Sequence, residues 1–324
     1  FPTQYAFLPF ILLFTIRFLN HHSKKNLFFF VLFNLLATPQ AYAAHLWYPF
    51  FGTYVLFIFF YALIHRFHFL YVKLGSILIG AVLLVNAFWL LPNIYFILTT
   101  SSVPKLAKQN RLYSQEFRLR NREHGFLKDV ALVRGFYFSW EAYDFTARKN
   151  VLLMQEWRNY LNNPLVLVLG YTFFGGVMWG LFYSFWRKNK MALSFTPFFA
   201  IPFVFLMNNT FPFNIFFEFL LRFSLFEEAL RFVFTKFSIL LIFAYAFYFS
   251  FFIEYLLHTR KTIVRIFYVL LFCMGFIVYA YPMFKGELIS PKMRTQIPKE
   301  YFVWWDFMKT QSVGRVLPLP MHQF

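Results

Sequence analysis

The chain has 324 residues, of which 60% are hydrophobic, 25% aromatic and 14% charged. A soluble domain is only about 45–50% apolar, so this composition excludes an ordinary soluble protein and indicates an integral membrane protein. The formal net charge is +18, but the basic residues are spread along the chain instead of forming one stripe, so nucleic acid is not expected as a partner. The single cysteine, Cys273, excludes an intramolecular disulfide.

Apolar stretches that could cross the roughly 30 Å hydrocarbon core of a bilayer occur throughout the chain. They predict about eight transmembrane helices, at 5–20, 27–44, 47–64, 74–98, 164–186, 192–207, 231–257 and 263–281. The second stretch contains Pro39 and is expected to be broken or re-entrant, and the sixth contains Pro197 and Pro202 and is expected to be kinked. The spacing of Gly176 and Gly180 allows close approach of a neighbouring helix.

The orientation of these helices follows from the basic residues in the short connections, which favour the cytoplasmic side. Lysine and arginine occur in every second connection: Lys24, Lys25, Arg66, Lys73, Arg187, Lys188, Lys190, Arg260, Lys261 and Arg265. The alternate short connections, near residue 45 and at 208–215, contain none. The long loop 99–163 and the C-terminal segment are therefore expected outside, in a multi-pass membrane protein.

The sequence thus divides into four parts. Residues 1–98 are expected to form transmembrane helices, and 99–163 an extracytoplasmic loop with short helices on the membrane surface. Residues 164–281 add transmembrane helices with an interfacial segment at 208–230, and 282–324 form an extracytoplasmic segment in which β-structure begins. The fold class is an all-α integral membrane protein apart from that segment. The chain starts with phenylalanine without a signal sequence, so we expect a fragment or a processed product.

Charged residues interrupt the stretch 208–240 just before a long apolar run. Ionisable groups at mid-bilayer cost roughly 2.5–3.5 kcal/mol each on insertion scales, so they are retained where they pair, lie at the interface or line a polar cavity. Glu218 and Arg222, and likewise Glu227 and Arg231, are four residues apart, which predicts local ion pairs on a helix.

Three stretches together resemble a known group of proteins: NAFWLLPNIYFIL at 86–98, LRFVFTKFS at 230–238 and IPKEYFVWWDFMKTQSVGRVLPLP at 297–320. They are similar to large bacterial membrane proteins of, or near, the C-type (GT-C) glycosyltransferases, including arabinofuranosyltransferase-like enzymes. In that group the second stretch usually reads Phe-Arg-Asn-Pro-x-Glu-Lys-Phe and the third leads into a β-rich extracytoplasmic domain. The match falls on Arg231, Lys236 and Phe237; valine and threonine stand where the group has its proline and its acid.

The resemblance implies a membrane enzyme in the bacterial plasma (inner) membrane that works on the outer face. Such enzymes move a sugar from a polyprenyl-phosphate donor to a glycan acceptor, with an outward carboxylate as general base or metal-assisting group. In the superfamily that acid usually lies in the first outer loop. The first acidic residue here is Glu116, so the family's acid is expected upstream of Phe1.

A lipid-phosphate leaving group needs cations at headgroup depth, and Arg231 and Lys236 are the candidate substrate-binding residues. Glu227 and Glu228 beside them are candidates for a catalytic base or for holding a divalent cation, although the sequence assigns no metal site. Five residues of helix turn through about 500°, which leaves the two basic side chains about 140° apart. We therefore predict a helix break between Arg222 and Phe234 that lets them converge.

The outer loop contains a second candidate site in the sequence SWEAYDF. Trp140 and Tyr143 offer flat faces for a sugar, and Glu141 and Asp144 are candidate catalytic acids. Packing of the aromatic rings is the alternative interpretation. His45 and His124 are outward but isolated in sequence.

Other functions remain open at this stage. A lipid-glycan flippase or transporter would place ionisable residues or broken helices at mid-membrane, often in repeated halves, and Glu254 is the acid well inside a predicted span. An O-antigen polymerase or ligase also combines many spans with a long basic outer loop but lacks the 230–238 pattern. An inactive membrane scaffold is the fourth alternative. The donor sugar, the acceptor and any metal are not specified by the sequence.

Overall fold

The structure is a computed structural model that describes residues 2–39, 44–100, 102–144, 148–258, 261–287, 299–311 and 314. Its described residues are almost entirely helical. The helices are α1 Pro2–Asn20, α2 Lys24–Leu36, α3 Ala44–Ile64, α4 Phe69–Thr100, α5 Ser102–Leu106, α6 Lys108–Glu123, α7 Leu127–Ala131, α8 Gln155–Leu161, α9 Pro164–Trp186, α10 Lys190–Ser194, α11 Thr196–Leu206, α12 Phe213–Leu221, α13 Ser224–Ala229, α14 Val233–Leu257, α15 Thr262–Tyr279, α16 Tyr281–Phe284 and α17 Lys299–Lys309.

Five of these helices, α3, α4, α9, α14 and α15, are long and apolar enough to cross a membrane. The protein is therefore an all-α membrane-embedded chain, as its composition predicts. The remaining apolar stretches form shorter segments within the described residues. Tyr5–Asn20 and Thr196–Leu206 are shorter apolar helices, and α2 ends at Leu36 after 13 residues. The count of eight spans therefore stays a prediction.

Both irregular stretches are interrupted near their prolines. The second predicted span stops before Pro39, at the point where the sequence predicts a break, and 40–43 lie outside the described residues. The sixth is divided at Phe195 into α10 and α11, with Pro197 in the first turn of α11. A proline is tolerated there because the first N–H groups of a helix have no intrahelical partner.

The core lies where α14 packs against α9, α11 and α3. Large aromatic side chains fill it, among them the fully buried Trp47, Tyr54, Phe57, Phe198 and Tyr248. Gly180 allows the close contact between α9 and α14, because a Cβ atom there would lie 1.9 Å from the carbonyl oxygen of Tyr248. The backbones approach too closely for any larger residue.

The segment 99–163, which the sequence predicts to be an outer loop, contains more than the surface helices expected there. After α7, a 3₁₀ turn at Phe136–Ser139 leads into an antiparallel hairpin of β1, Glu141–Asp144, and β2, Lys149–Leu152. Tyr160 donates a hydrogen bond to the carbonyl oxygen of Val278 in α15. This contact attaches the loop to the C-terminal end of α15.

The C-terminal segment is helical where it is described. Residues expected to lead into β-structure form α17, whose sequence is KEYFVWWDFMK. The end of the segment expected to contain β-structure, residues 312–324, lies outside the described residues except for Gly314. Strand structure within the described residues is confined to the β1–β2 hairpin.

Candidate functional site

The predicted helix break is present in the stretch 208–240. After α12 ends at Leu221 and α13 ends at Ala229, the chain turns, and α14 begins only at Val233. Phe232 is the N-cap residue, with φ −116° and ψ 67°. Arg231 therefore lies in the turn and not on a helix, which confirms the break inferred from the angular separation of Arg231 and Lys236.

Lys236 is buried in the first turn of α14, with 6% of its surface exposed. Its ammonium group donates a hydrogen bond to the carbonyl oxygen of Ala229, at the end of α13. A cation near a helix C-terminus is favourable, whereas a cation in the first turn of a helix opposes the dipole of that helix. The break thus allows Lys236 to donate a hydrogen bond to a carbonyl group of α13. It also places a positive charge beside the N-terminus of α14, which is unfavourable.

Arg231 is half-buried in the turn before α14, with its guanidinium 4.9 Å from the centroid of the Phe232 ring. His45, at the start of α3, lies within electrostatic range of both Lys236 and Arg231. The start of α3 therefore lies in the same region of the structure as the helix break that holds the two predicted phosphate-binding residues. Sequence reasoning treated His45 as isolated because nothing in its local pattern indicates which helix end lies opposite.

The acidic residues of this stretch pair differently from the sequence-based prediction. Glu227 forms an ion pair with Arg118, and Glu218 forms one with Arg122, both on α6. The predicted pairing of Glu227 with Arg231 required one continuous helix, but α13 ends between them. The side chain of Glu228, the other candidate base, lies outside the described part of the structure.

Helix α6 is attached to the same stretch by hydrogen bonds. The side chain of Asn121, which is 5% exposed, donates to the carbonyl oxygen of Arg231 at 2.7 Å. Asn209 donates to the carbonyl oxygen of Arg122 at 3.1 Å, and the Thr210 hydroxyl donates to that of Gly125 at 3.0 Å. The outer loop and the start of α14 therefore form one connected unit.

An aromatic layer fills the space beneath α6. The ring of Phe117 contacts Phe232 at 4.3 Å and Trp140 at 5.6 Å between ring centroids. Trp140 also packs against Phe136, which is the arrangement expected from the packing interpretation of this tryptophan. Partial burial beside these rings raises the pKa of the Tyr137 hydroxyl.

The other residues of the predicted sugar-binding site lie on strand β1, whereas Trp140 directly precedes that strand. Glu141 and Tyr143 alternate with Ala142 along β1, so they share one face of the hairpin. Tyr143 is 51% exposed. Asp144 pairs with Lys149 in the strand register, and its side chain lies outside the described part of the structure.

A polar pocket of about 370 Å³ lies between the hairpin and α8. It is lined by Glu141, Lys149, Asn150, Val151, Leu152, Gln155 and Glu156. Glu141 and Glu156 supply carboxylate oxygens, the ligand type that suits Mg²⁺ or Ca²⁺, although no group of three or more His, Cys, Asp and Glu side chains suited to a metal occurs among the described residues. Sequence reasoning missed Glu156 because β2 and a turn separate it from Glu141.

No protein-family model, curated protein or solved structure matches this chain.

Proposed function

We propose that this chain is a membrane glycosyltransferase that takes a sugar from a polyprenyl-phosphate donor at the outer face of the membrane. The observation that carries the proposal is the placement of Arg231 in the turn before α14 and of Lys236 in the first turn of α14, with His45 within electrostatic range of both; we call these three residues the basic cluster. Arg231 and Lys236 are cationic, and the N-terminus of α14 adds a partial positive charge to the same place.

A phosphate group suits this arrangement physically. Arginine binds a phosphate through two parallel N–H donors, while lysine provides a compact charge. The positive groups repel one another, so an anion between them would relieve that repulsion. As the bond between the sugar and the phosphate breaks, negative charge grows on the phosphate, and preorganised cations stabilise that charge.

The sugar would extend from the basic cluster towards the hairpin pocket. Phe117 contacts both Phe232, the neighbour of Arg231, and Trp140, the neighbour of Glu141. Phe117 thus links the residue next to Arg231 with the residue next to Glu141 through ring contacts. Glu141 borders the pocket, whereas Glu227 is held in an ion pair with Arg118, so Glu141 is the favoured candidate for the base that activates the acceptor hydroxyl.

The proposal is tested by binding of a polyprenyl monophosphate to the chain in lipid nanodiscs, followed by native mass spectrometry. Arg231→Ala should weaken binding about tenfold or more, which corresponds to the loss of about 1.4 kcal/mol. Arg222→Ala is the matched control, because Arg222 is an exposed arginine at the end of α12 in the same stretch. Equal losses in the two variants would contradict a specific phosphate site.

Binding alone would also suit a flippase, so a second measurement is needed. The chain in proteoliposomes is supplied with a panel of polyprenyl-phosphate pentoses and hexoses and with a glycan acceptor. A transferase releases free polyprenyl phosphate in proportion to the sugar joined to the acceptor, and Glu141→Gln should abolish that release. A flippase moves the intact donor between leaflets without cleaving it, and this outcome would overturn the proposed activity.

A further inference from the structure

Three polar side chains of the outer loop lie close together near the C-terminal end of α6. The Ser139 hydroxyl oxygen lies 2.9 Å from Nε2 of His124. On the other side of the ring, Nδ1 of His124 lies 3.7 Å from Oδ1 of Asp129. The three residues come from the end of α6, the first turn of α7 and the end of the 3₁₀ turn.

Because these side chains are buried, their arrangement carries a free-energy cost that an exposed surface contact would not have. The side chains of His124 and Asp129 are only 16% and 9% exposed. Within the described chain, His124 Nδ1 and Asp129 Oδ2 are both buried without a hydrogen-bond partner. A buried polar atom without a partner costs about 1–3 kcal/mol, and such atoms in a native structure call for an explanation, of which a catalytic role is one.

We propose that Ser139, His124 and Asp129 form a nucleophilic triad whose substrate is an ester-linked acyl group at the outer face of the membrane. Ser139 is the nucleophile, His124 is its base, and Asp129 orients the imidazole ring and stabilises it when protonated. This order of roles is the one that defines serine nucleophiles on unrelated folds, where geometry and not sequence position identifies the triad. The 3.7 Å separation is of the looser kind found before substrate binds.

The reaction proceeds in two balanced steps. In the first, the Ser139 oxygen bonds to the acyl carbon, its proton passes to His124 Nε2, and the ester C–O bond breaks as the departing alkoxide takes that proton and leaves as an alcohol. In the second, His124 takes a proton from water, the resulting hydroxide bonds to the acyl carbon, and the Ser139–acyl bond breaks as the serine oxygen regains the proton. The products are an alcohol and a carboxylic acid, and no oxidant or metal is required.

The surroundings of Ser139 provide donors for the negative charge that develops on the acyl oxygen. The backbone N–H of Trp140 follows the nucleophile directly, and its bond to the Tyr137 carbonyl oxygen is long, at 3.4 Å. An N–H in this position contributes to the oxyanion hole of many serine hydrolases. Arg120, whose other nitrogens pair with Glu116, donates from Nη1 to the carbonyl oxygen of Ser139 at 2.6 Å and so fixes the backbone of the nucleophile. Phe136 and Tyr137 provide apolar surface beside the serine.

The test uses a fluorophosphonate probe, which reacts covalently with activated serines. The full chain in nanodiscs should take up one probe per molecule, located by peptide mass spectrometry at Ser139. Ser139→Ala should abolish the labelling, and Asp129→Asn should slow it by roughly a hundredfold. Ser250→Ala, a variant of an exposed serine in α14, should label like the parent chain.

A second measurement addresses activation without depending on an oxyanion hole. In a Cys273→Ala background, Ser139→Cys should react with iodoacetamide at pH 7 faster than the same variant carrying His124→Gln, because the histidine favours the thiolate. Thermal unfolding confirms that each variant is folded. A folded parent chain that takes up no probe, or a Ser139→Cys thiol indifferent to His124, would assign these three residues a purely structural role and overturn the proposal.

Discussion

The side-chain amide of Asn121 donates a 2.7 Å hydrogen bond to the carbonyl oxygen of Arg231. This contact joins the outer loop to the turn that precedes α14. The Arg231 carbonyl lies in the break between two helices, so a side chain supplies the partner that a continuous helix would have provided. Asn121 therefore fixes the backbone of a residue in the basic cluster from a helix distant in sequence.

Asn121→Leu should reveal this positioning role, because it nearly keeps the size of the side chain, adds no charge and removes the N–H donor. We expect a loss of about 1–3 kcal/mol in the free energy of unfolding, since a buried acceptor loses its partner. Polyprenyl-phosphate binding should weaken as well, because Arg231 is no longer held. Thermal unfolding and native mass spectrometry measure the two effects. Unchanged binding by the folded variant would show that the hydrogen bond serves stability alone.

The ion pair between Arg118 and Glu227 should control docking of α6. Arg118→Glu places two like charges together and should increase cleavage of the outer loop by an added protease. The double variant Arg118→Glu with Glu227→Arg restores opposite charges and should restore protection. Lys128→Glu, which changes an exposed residue of the same loop, is the control. Failure of the double variant to recover would mean that the pair does not hold the helix, as is found for many exposed ion pairs.

Gly180→Ala should destabilise the contact between α9 and α14. Its new Cβ atom would lie 1.9 Å from the Tyr248 carbonyl oxygen, whereas a Cβ atom at Gly175 on the same helix would meet no atom within 4 Å. We expect a loss of about 1–3 kcal/mol from overpacking. Gly175→Ala should be neutral or stabilising by up to about 1 kcal/mol, because alanine favours a helix. Similar unfolding temperatures for the two variants would contradict the close backbone approach.

The orientation in the membrane is tested by cysteine labelling of intact cells in a Cys273→Ala background. Leu119→Cys, on the exposed face of α6, should react with an impermeant maleimide, whereas Lys188→Cys should not. The basis is the alternation of basic residues in the short connections. Lys190 lines a pocket of about 290 Å³ with His65, Arg66 and His68, so basic residues from two connections lie together. Reaction at position 188 from outside would reverse the assignment.

Sequence reasoning predicted local features well. The span predicted at 164–186 coincides with α9, Pro164–Trp186, because a long apolar run with a proline at its start leaves few alternatives to a membrane helix. The break before α14 could also be predicted, because it follows from the angle that regular helix geometry would place between Arg231 and Lys236. Both features depend on residues that are close together in the sequence, so they can be predicted from a single sequence.

Contacts between residues that are distant in sequence could not be predicted in this way. The pattern of the stretch 208–240 offers Arg222 and Arg231 as partners for its acids, but α6 supplies Arg118 and Arg122. The proximity of His45 to Lys236, and of Ser139 to His124, depends on how helices and turns pack. The ion-pair partner of a side chain can come from any element that packs near it in the folded protein. Helical spacing predicts only the partners on the same helix.

The length of α4 exceeds what is needed to cross a bilayer. Its 32 residues extend about 48 Å at 1.5 Å per residue, whereas the hydrocarbon core is about 30 Å thick. Even a steep tilt of about 40° leaves several ångströms of helix outside the core, at one end of α4 or divided between both ends. Helix α6 follows α4 through the short helix α5 and contacts the turn before α14 through Asn121. With the orientation that the basic residues predict, excess length at the C-terminal end of α4 would hold α5 and α6 away from the lipid tails, and a thicker bilayer would shorten that distance.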